Sequence, residues 1–107
     1  MITWISGNSG AGKTTLAKKI LDGGILLDGE DLRIVWTDLT ISKEDRWKHA
    51  LRLARLAKLL DGQGCNVIVA SICAYKDLRK EVKKITNCRF IQLDSGREPS
   101  EEYPYEL

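Results

Sequence analysis

Short apolar runs alternate along this chain with longer amphipathic ones. Residues 2–6, Ile-Thr-Trp-Ile-Ser, are rich in strand formers and end at a glycine-rich loop, the pattern of a buried strand. "KTTLAKKIL" after Gly12 has helical character, and Gly23-Gly24 stop it. "ILLD" (25–28) is a second short strand ending on an acid, "NVIVAS" (66–71) a third and "RFIQL" (89–93) a fourth. The longest periodic segment is "SKEDRWKHALRLARLAKLLDGQG", in which Ser42 and Asp45 have capping-box spacing and Gly62 closes the helix. Trp47, Ala50, Leu51, Ala54, Ala57 and Leu60, with Leu53 and Leu56 beside them, give it a broad apolar face. In "KDLRKEVKKI", Leu78, Val82 and Ile85 share one helical stripe.

Strands that alternate with helices predict an α/β fold in which parallel strands are joined by right-handed crossovers. Continuous apolar runs such as "VIVA" suit strands covered by helices on both faces. The expected architecture is a small parallel sheet of four strands with helices on both faces. At 107 residues the chain is expected to form one domain, because two cores would each bury too little apolar surface. Residues 94–107, "DSGREPSEEYPYEL", carry both prolines and are expected to be irregular and partly mobile.

Composition narrows the picture only slightly. A net charge of +2 selects neither nucleic acid nor an anionic membrane as partner, and leaves local basic residues free to serve a small anionic substrate. Cys65, Cys73 and Cys88 are odd in number and form no C-x-x-C pair, which fits reduced thiols and a cytoplasmic location better than a disulfide framework or a zinc site. No apolar run has the length of a membrane span, and "MITWIS" opens without a basic leader or cleavage site.

The chemistry begins at Gly7-x-x-x-x-Gly12-Lys13-Thr14, which matches the phosphate-loop pattern in full. Its glycines let consecutive backbone N–H groups converge on phosphate oxygens, and the following helix points its N-terminus at the same anion. Gly7, Asn8, Ser9, Gly10, Ala11, Gly12, Lys13, Thr14 and Thr15 are therefore the expected ATP-binding residues. Lys13 would reach the outer phosphates and the Thr14 hydroxyl would coordinate Mg²⁺. A chance glycine-rich turn explains neither the spacing nor the place between a strand and a helix. The guanine-recognition pattern N-K-x-D does not occur, and the third strand lacks the acid expected of a motor's second metal motif.

The second strand delivers "LLDGEDLR" to the carboxyl edge of the sheet, where ligands bind in open parallel sheets. Asp28 and Glu30 are candidates for the metal-linked acid and for the group that accepts the acceptor's proton; Asp31 fits a helix-dipole role equally well. Arg33 lies a short step beyond these acids, and Arg46 and His49, three apart, share a helix face from which an anionic acceptor could be held. A lone histidine is more often structural, and Lys48, Arg52, Arg55 and Lys58 suit a solvated basic face.

Together these residues resemble the adenylylsulfate kinase family, P-loop kinases that phosphorylate the 3′-hydroxyl of adenylylsulfate. The resemblance covers residues 3 to about 93, and its specific part is the ordered set "LLDGEDLR", "DLTISKEDRWKHALRLARLAKLL" and "NVIVASICAYKDLR". The family patterns are approximately L-D-G-D-N-x-R, D-L-G-F-S-x-x-D-R-x-E-N-x-R-R and S-F-I-S-P-Y-R. The resemblance implies an α/β fold with a small P-loop kinase-type sheet of four strands ordered 2-3-1-4, ATP and Mg²⁺ as cofactors and a small nucleotide as substrate. It implies metal-linked and catalytic roles for Asp28 and Glu30, and substrate contacts for Arg33 and Arg46. Ile72 and Tyr75 fall in the segment that lines the family's adenylylsulfate pocket.

Several positions depart from the family pattern. Glu30 replaces Asp, Lys48 replaces Glu, His49 replaces Asn, and Ile41 replaces the Phe that resembles a stacking platform for adenine. Cys73 replaces a Ser that is phosphorylatable in the family, and Ala74 replaces Pro. After its fourth strand the family continues with a basic lid, a further strand and a final helix; here fourteen residues follow Leu93, and Arg97 is their one base. "YPYE" resembles the family's "SPYE" beyond that lid. Three readings stay open: an adenylylsulfate kinase, a compact kinase for another small hydroxylated nucleotide or metabolite, and a catalytically weak ATP-binding module. An unpaired sheet edge also leaves a homodimer open.

Overall fold

The computed structural model describes residues 1–107. Four strands, β1 (Ile2–Ser6), β2 (Ile25–Asp28), β3 (Val67–Ala70) and β4 (Arg89–Gln92), form one sheet in the order β2-β3-β1-β4. All three pairings are parallel, with Ile2 opposite Val67, Ile25 opposite Val67 and Thr3 opposite Arg89. The helices are α1 (Lys13–Ile20), α2 (Gly29–Val35), α3 (Lys43–Gly62) and α4 (Lys76–Thr86). Fold class and strand order are those expected from the sequence.

Alternate residues of the strands feed two cores, as the two-residue period of a strand requires. Ile2, Trp4, Leu27, Val67 and Val69 point to the face covered by α3 and α4, where they meet Leu53, Ala54, Ala57, Leu78 and Val82. Ile5, Ile68 and Ala70 point to the other face, against Ala17 of α1. The central β1 and β3 are buried along their whole lengths. No helix is long and apolar enough to cross a membrane.

Three details differ from or add to expectation. Helix α3 ends at Gly62 as expected, but the residue that reverses the chain is Gly64, whose φ of 87° is left-handed. Gly64 N–H donates to Asp61 O and Cys65 N–H to Leu60 O, so the turn is closed two residues later by the glycine whose backbone reverses hand. The short helix α2 carries little periodic signal, yet the Asp28 side chain accepts from Glu30 N–H and starts it. The third difference concerns residues 94–107, which contain no helix or strand but are tied down at many points. Tyr105 Oη meets Ser6 Oγ at 2.8 Å, Glu106 N–H donates to Ala74 O at 2.7 Å, and Asn8 Nδ2 donates to Tyr103 O at 3.0 Å.

Candidate active site at the phosphate loop

The phosphate loop joins β1 to α1 at the carboxyl edge of the sheet. Gly10 and Gly12 adopt φ of 86° and 84°, left-handed values that glycine takes without steric cost. At Gly7 the constraint is proximity, since a Cβ there would lie 2.7 Å from Leu93 O. No acid occupies the first turn of α1 and no side chain caps it, so its leading N–H groups remain available to an anion. Lys13 Nζ folds back and donates to Gly7 O at 2.8 Å and Asn8 O at 3.0 Å. Burial pushes its pKa down, while the Glu30 and Asp28 carboxylates pull in the opposite direction.

β2 ends at the same edge, with Asp28 beside Ala70 of β3. Asp28 Oδ1 accepts from Glu30 N–H at 2.9 Å, and Oδ2 accepts from Thr14 Oγ1 at 2.6 Å. One carboxylate thus caps α2 and touches the hydroxyl that opens α1. The adjoining Gly29 packs so closely on β3 that a Cβ would lie 3.1 Å from Ser71 Oγ.

A cavity of about 600 Å³ opens between the phosphate loop, the start of α2, the first turns of α3 and the segment after β3. Its wall includes Asn8, Ser9, Gly10, Gly12, Lys13, Thr14 and Thr15 from the loop; Gly7 and Ala11 shape that loop without lining the cavity. Asp28, Glu30, Arg33, Ile41, Arg46, His49 and Ile72 line it as well. Arg33 and Arg46 are electrostatic neighbours, since burial and then the Arg46 charge lower the Arg33 pKa against the pull of Asp45. Arg33 Nη1 donates to Thr40 O and Arg46 Nη2 donates to Glu102 O, each at 3.2 Å. Two guanidinium groups sharing one wall, each bonded only to a carbonyl, favour an anion between them.

Two candidate residues behave differently from expectation. Tyr75 does not line the cavity; its ring stacks on Trp47 at 5.8 Å, with Lys43 Nζ 4.8 Å from its centroid. It is the extended N-cap residue of α4, and the stack on Trp47 directs its ring. His49 reaches the wall, but Trp36 Nε1 donates to its Nδ1 at 2.8 Å and its Nε2 meets Gly29 O at 2.8 Å. The Trp36 bond makes Nδ1 an acceptor, so the proton is on Nε2 and no ring nitrogen remains for a substrate. Burial, then the Arg33 charge, push its pKa down to about 4.

Sequence reasoning missed the contributions of Ser71, Glu102, Tyr103 and Pro104, which also line the cavity. The last three come from the tail, where only the "YPYE" match carried any signal. It also missed Arg79, buried although no carboxylate pairs with it. Arg79 Nη1 donates to Cys73 O at 2.7 Å, its other terminal nitrogen donates to Glu106 O, and its guanidinium lies 4.9 Å from the Tyr105 ring centroid. Cys73 holds a left-handed φ of 48°, a conformation worth about 1 kcal/mol of strain or more in a non-glycine residue. Arg79 therefore fixes the turn after β3 and the tail together. Burial pushes the Cys73 thiol pKa up to about 12, so it is not a nucleophile.

Comparison with known proteins agrees with this geometry. The adenylylsulphate kinase family model matches residues 1–94. The chain belongs to the adenylylsulphate kinase family. The adenylyl-sulfate kinase of Rippkaea orientalis is 42% identical over 88 residues, covering 75% of this chain and 49% of that protein. Among solved structures, the Mycobacterium tuberculosis APS kinase CysC in complex with AMPPNP and APS superposes with a TM-score of 0.72 at 27% identity, covering 94% of this chain and 64% of that one. The hexameric APS kinase from Thiobacillus denitrificans gives a TM-score of 0.78 at 26% identity, covering 99% of this chain and 23% of that one. This adenylylsulphate kinase family member spans about half the length of the Rippkaea relative.

Proposed function

We propose that residues 1–107 act as one unit that transfers the γ-phosphoryl group of ATP to the 3′-hydroxyl of adenylylsulfate, releasing ADP and 3′-phosphoadenylylsulfate. The observation that carries this reading is a single cavity wall that joins a phosphate loop, two acids and the Arg33–Arg46 pair. The loop amides and α1 would hold the donor phosphates, and Lys13 would exchange its loop carbonyls for phosphate oxygens as the nucleotide enters. Arg33 and Arg46 would hold the acceptor's anionic group, with Ile41 and Ile72 against its base.

Thr14 and Asp28 offer hard oxygen donors 2.6 Å apart at the loop, which suits Mg²⁺. No group of three or more His, Cys, Asp or Glu side chains is placed to cage a metal, and Mg²⁺ in kinases takes few protein ligands and completes its shell with phosphate and water. Bound there, it would neutralise charge on the β- and γ-phosphate oxygens. Asp28 is already committed by two hydrogen bonds, whereas the exposed Glu30 side chain is free on the cavity wall. Glu30 is therefore assigned as the group that orients the acceptor hydroxyl and takes its proton.

The direct test is purified protein with ATP, Mg²⁺ and adenylylsulfate. ADP formation well above that of Lys13→Ala supports the reading, and equal rates reject it. The aliphatic Ile41 at a cavity position that resembles an aromatic platform supports a second reading, a different small hydroxylated acceptor. A thermal-shift series would favour it if another acceptor raised the melting temperature more than adenylylsulfate does.

A further inference from the structure

The tail brings one guanidinium to the crown of the phosphate loop. Arg97 Nε donates to Ser9 O at 3.2 Å, and its Nη2 lies 3.9 Å from where a Cβ on Gly10 would stand. Ser9 and Gly10 line the cavity, and the exposed Arg97 stands at its rim beyond them. Arg97 takes part in none of the protein's ion pairs, and of its guanidinium nitrogens only Nε donates to a protein acceptor. Its orientation is imposed from below by the Tyr103 ring, whose centroid is 4.1 Å from the guanidinium carbon. Tyr103 is in turn fastened to the loop, because Asn8 Nδ2 donates to its carbonyl at 3.0 Å. The tail therefore clamps the loop at two points, and between them it leaves a cation with two unused donor groups.

An unpaired guanidinium held beside a phosphate-binding loop serves a charge that appears there during reaction. In phosphoryl transfer, negative charge spreads over the γ-phosphoryl oxygens and the leaving β–γ bridging oxygen. Preorganised donors aimed at that charge lower the barrier more than they strengthen binding of the ground state. Lys13 and the free amides belong to the start of α1, whereas Arg97 stands over Ser9 and Gly10 at the crown of the loop.

We propose that Arg97 is a catalytic residue, a cation supplied by the chain's own tail that stabilises the transferring phosphoryl group. This rests on the site being a phosphotransferase. The bond from the β–γ bridging oxygen to γ-phosphorus breaks, the bond from the acceptor oxygen to that phosphorus forms, and the acceptor proton passes to Glu30. Arg97 keeps its proton throughout and contributes through its Nη donors.

The test compares binding of ADP with Mg²⁺ alone to binding of the same pair with aluminium fluoride, a planar mimic of the transferring group. Intrinsic tryptophan fluorescence or calorimetry reads both, with water or adenylylsulfate in the acceptor place. Arg97→Ala should leave ADP affinity within about twofold and weaken the aluminium fluoride complex by roughly 10²-fold. Arg97→Lys should recover part of that loss, because it restores charge without the planar fork. Arg97→Gln, which keeps a donor for Ser9 O, should behave like Arg97→Ala and covers the case in which the alanine variant is unstable. An equal loss for ADP alone and for the aluminium fluoride complex would assign Arg97 to holding the loop and overturn the proposal. So would an aluminium fluoride complex indifferent to all three substitutions, or one that fails to form on the unmodified protein while ADP binds. Failure of ADP to bind the unmodified protein would instead reject the phosphotransferase reading, and this proposal with it.

Discussion

The Thr14 hydroxyl donates to Asp28 Oδ2 at 2.6 Å, tying the first turn of α1 to the end of β2. Thirteen residues separate them in sequence only because a helix and a turn return the chain to the sheet. The same carboxylate starts α2 through Glu30 N–H, so Asp28 joins a structural bond to the electrostatic role proposed for it.

Asp28→Asn separates those two functions. Asparagine caps helices about as well as aspartate, so the fold and its melting temperature should be nearly unchanged. Loss of the negative charge at the proposed metal position should lower phosphoryl transfer by roughly 10²-fold or more. Steady-state ADP release and thermal unfolding of the same sample check both halves. Undiminished turnover would remove Asp28 from the metal site.

His49 makes stability depend on pH. Its pKa falls from 6.5 to about 4 on folding, so the unfolded chain binds a proton first as the solution is acidified. Its contribution is complete above pH 6.5 and is lost between pH 6.5 and about 4, amounting to roughly 3 kcal/mol at the lower end. Urea unfolding at a series of pH values should show that slope, and His49→Gln should flatten it. The physical origin is a buried ring that accepts from Trp36 and whose Nε2 faces Gly29 O, and a protonated ring would lose the Trp36 bond.

Gly24→Ala probes a close approach that the loop's function does not involve. A Cβ at Gly24 would lie 2.5 Å from the backbone oxygen of Asn66, the same oxygen that accepts from Ile25 N–H at 2.8 Å. Backbone cannot move aside cheaply, so a loss of about 1–3 kcal/mol is expected. Denaturant titration would measure it, and nucleotide affinity should stay as it was.

Arg79→Leu should detach the tail. It removes both donors to Cys73 O and Glu106 O, and leaving the buried Cys73 carbonyl unpaired costs about 1–3 kcal/mol. Limited proteolysis should then cut within residues 94–107 much faster than in the unmodified protein, at a protein concentration and temperature where both remain folded. Equal cleavage rates would show that the other bonds hold the tail without Arg79.

How much of this was legible in advance depended on the range of the interactions. The parallel sheet followed from the alternation of elements, since parallel strands need crossovers of one hand and apolar runs such as Val67–Ala70 must be covered on both faces; the order 2-3-1-4 came with the resemblance to P-loop kinases, because many orders satisfy the alternation alone. The phosphate loop was legible because its function is local: Gly10 and Gly12 need left-handed backbone and Lys13 must follow at once. Gly62 marked the end of α3 correctly, while which of the two nearby glycines reverses the backbone hand, Gly64, was not readable from the pattern. Tyr75 misled because its position in a family motif says nothing of Trp47, which turns its ring away from the cavity.

The sequence by itself determined the elements, their parallel arrangement and a phosphate-binding loop, because each depends on residues close together in the chain. Only the tertiary structure decided that His49 is spent on Trp36 and Gly29, that Arg33 and Arg46 share a wall, and that the tail returns to the loop through Arg97 and Tyr103. Those outcomes join residues up to 88 positions apart, and hydrogen-bond partners at such separations are chosen by packing rather than by local pattern.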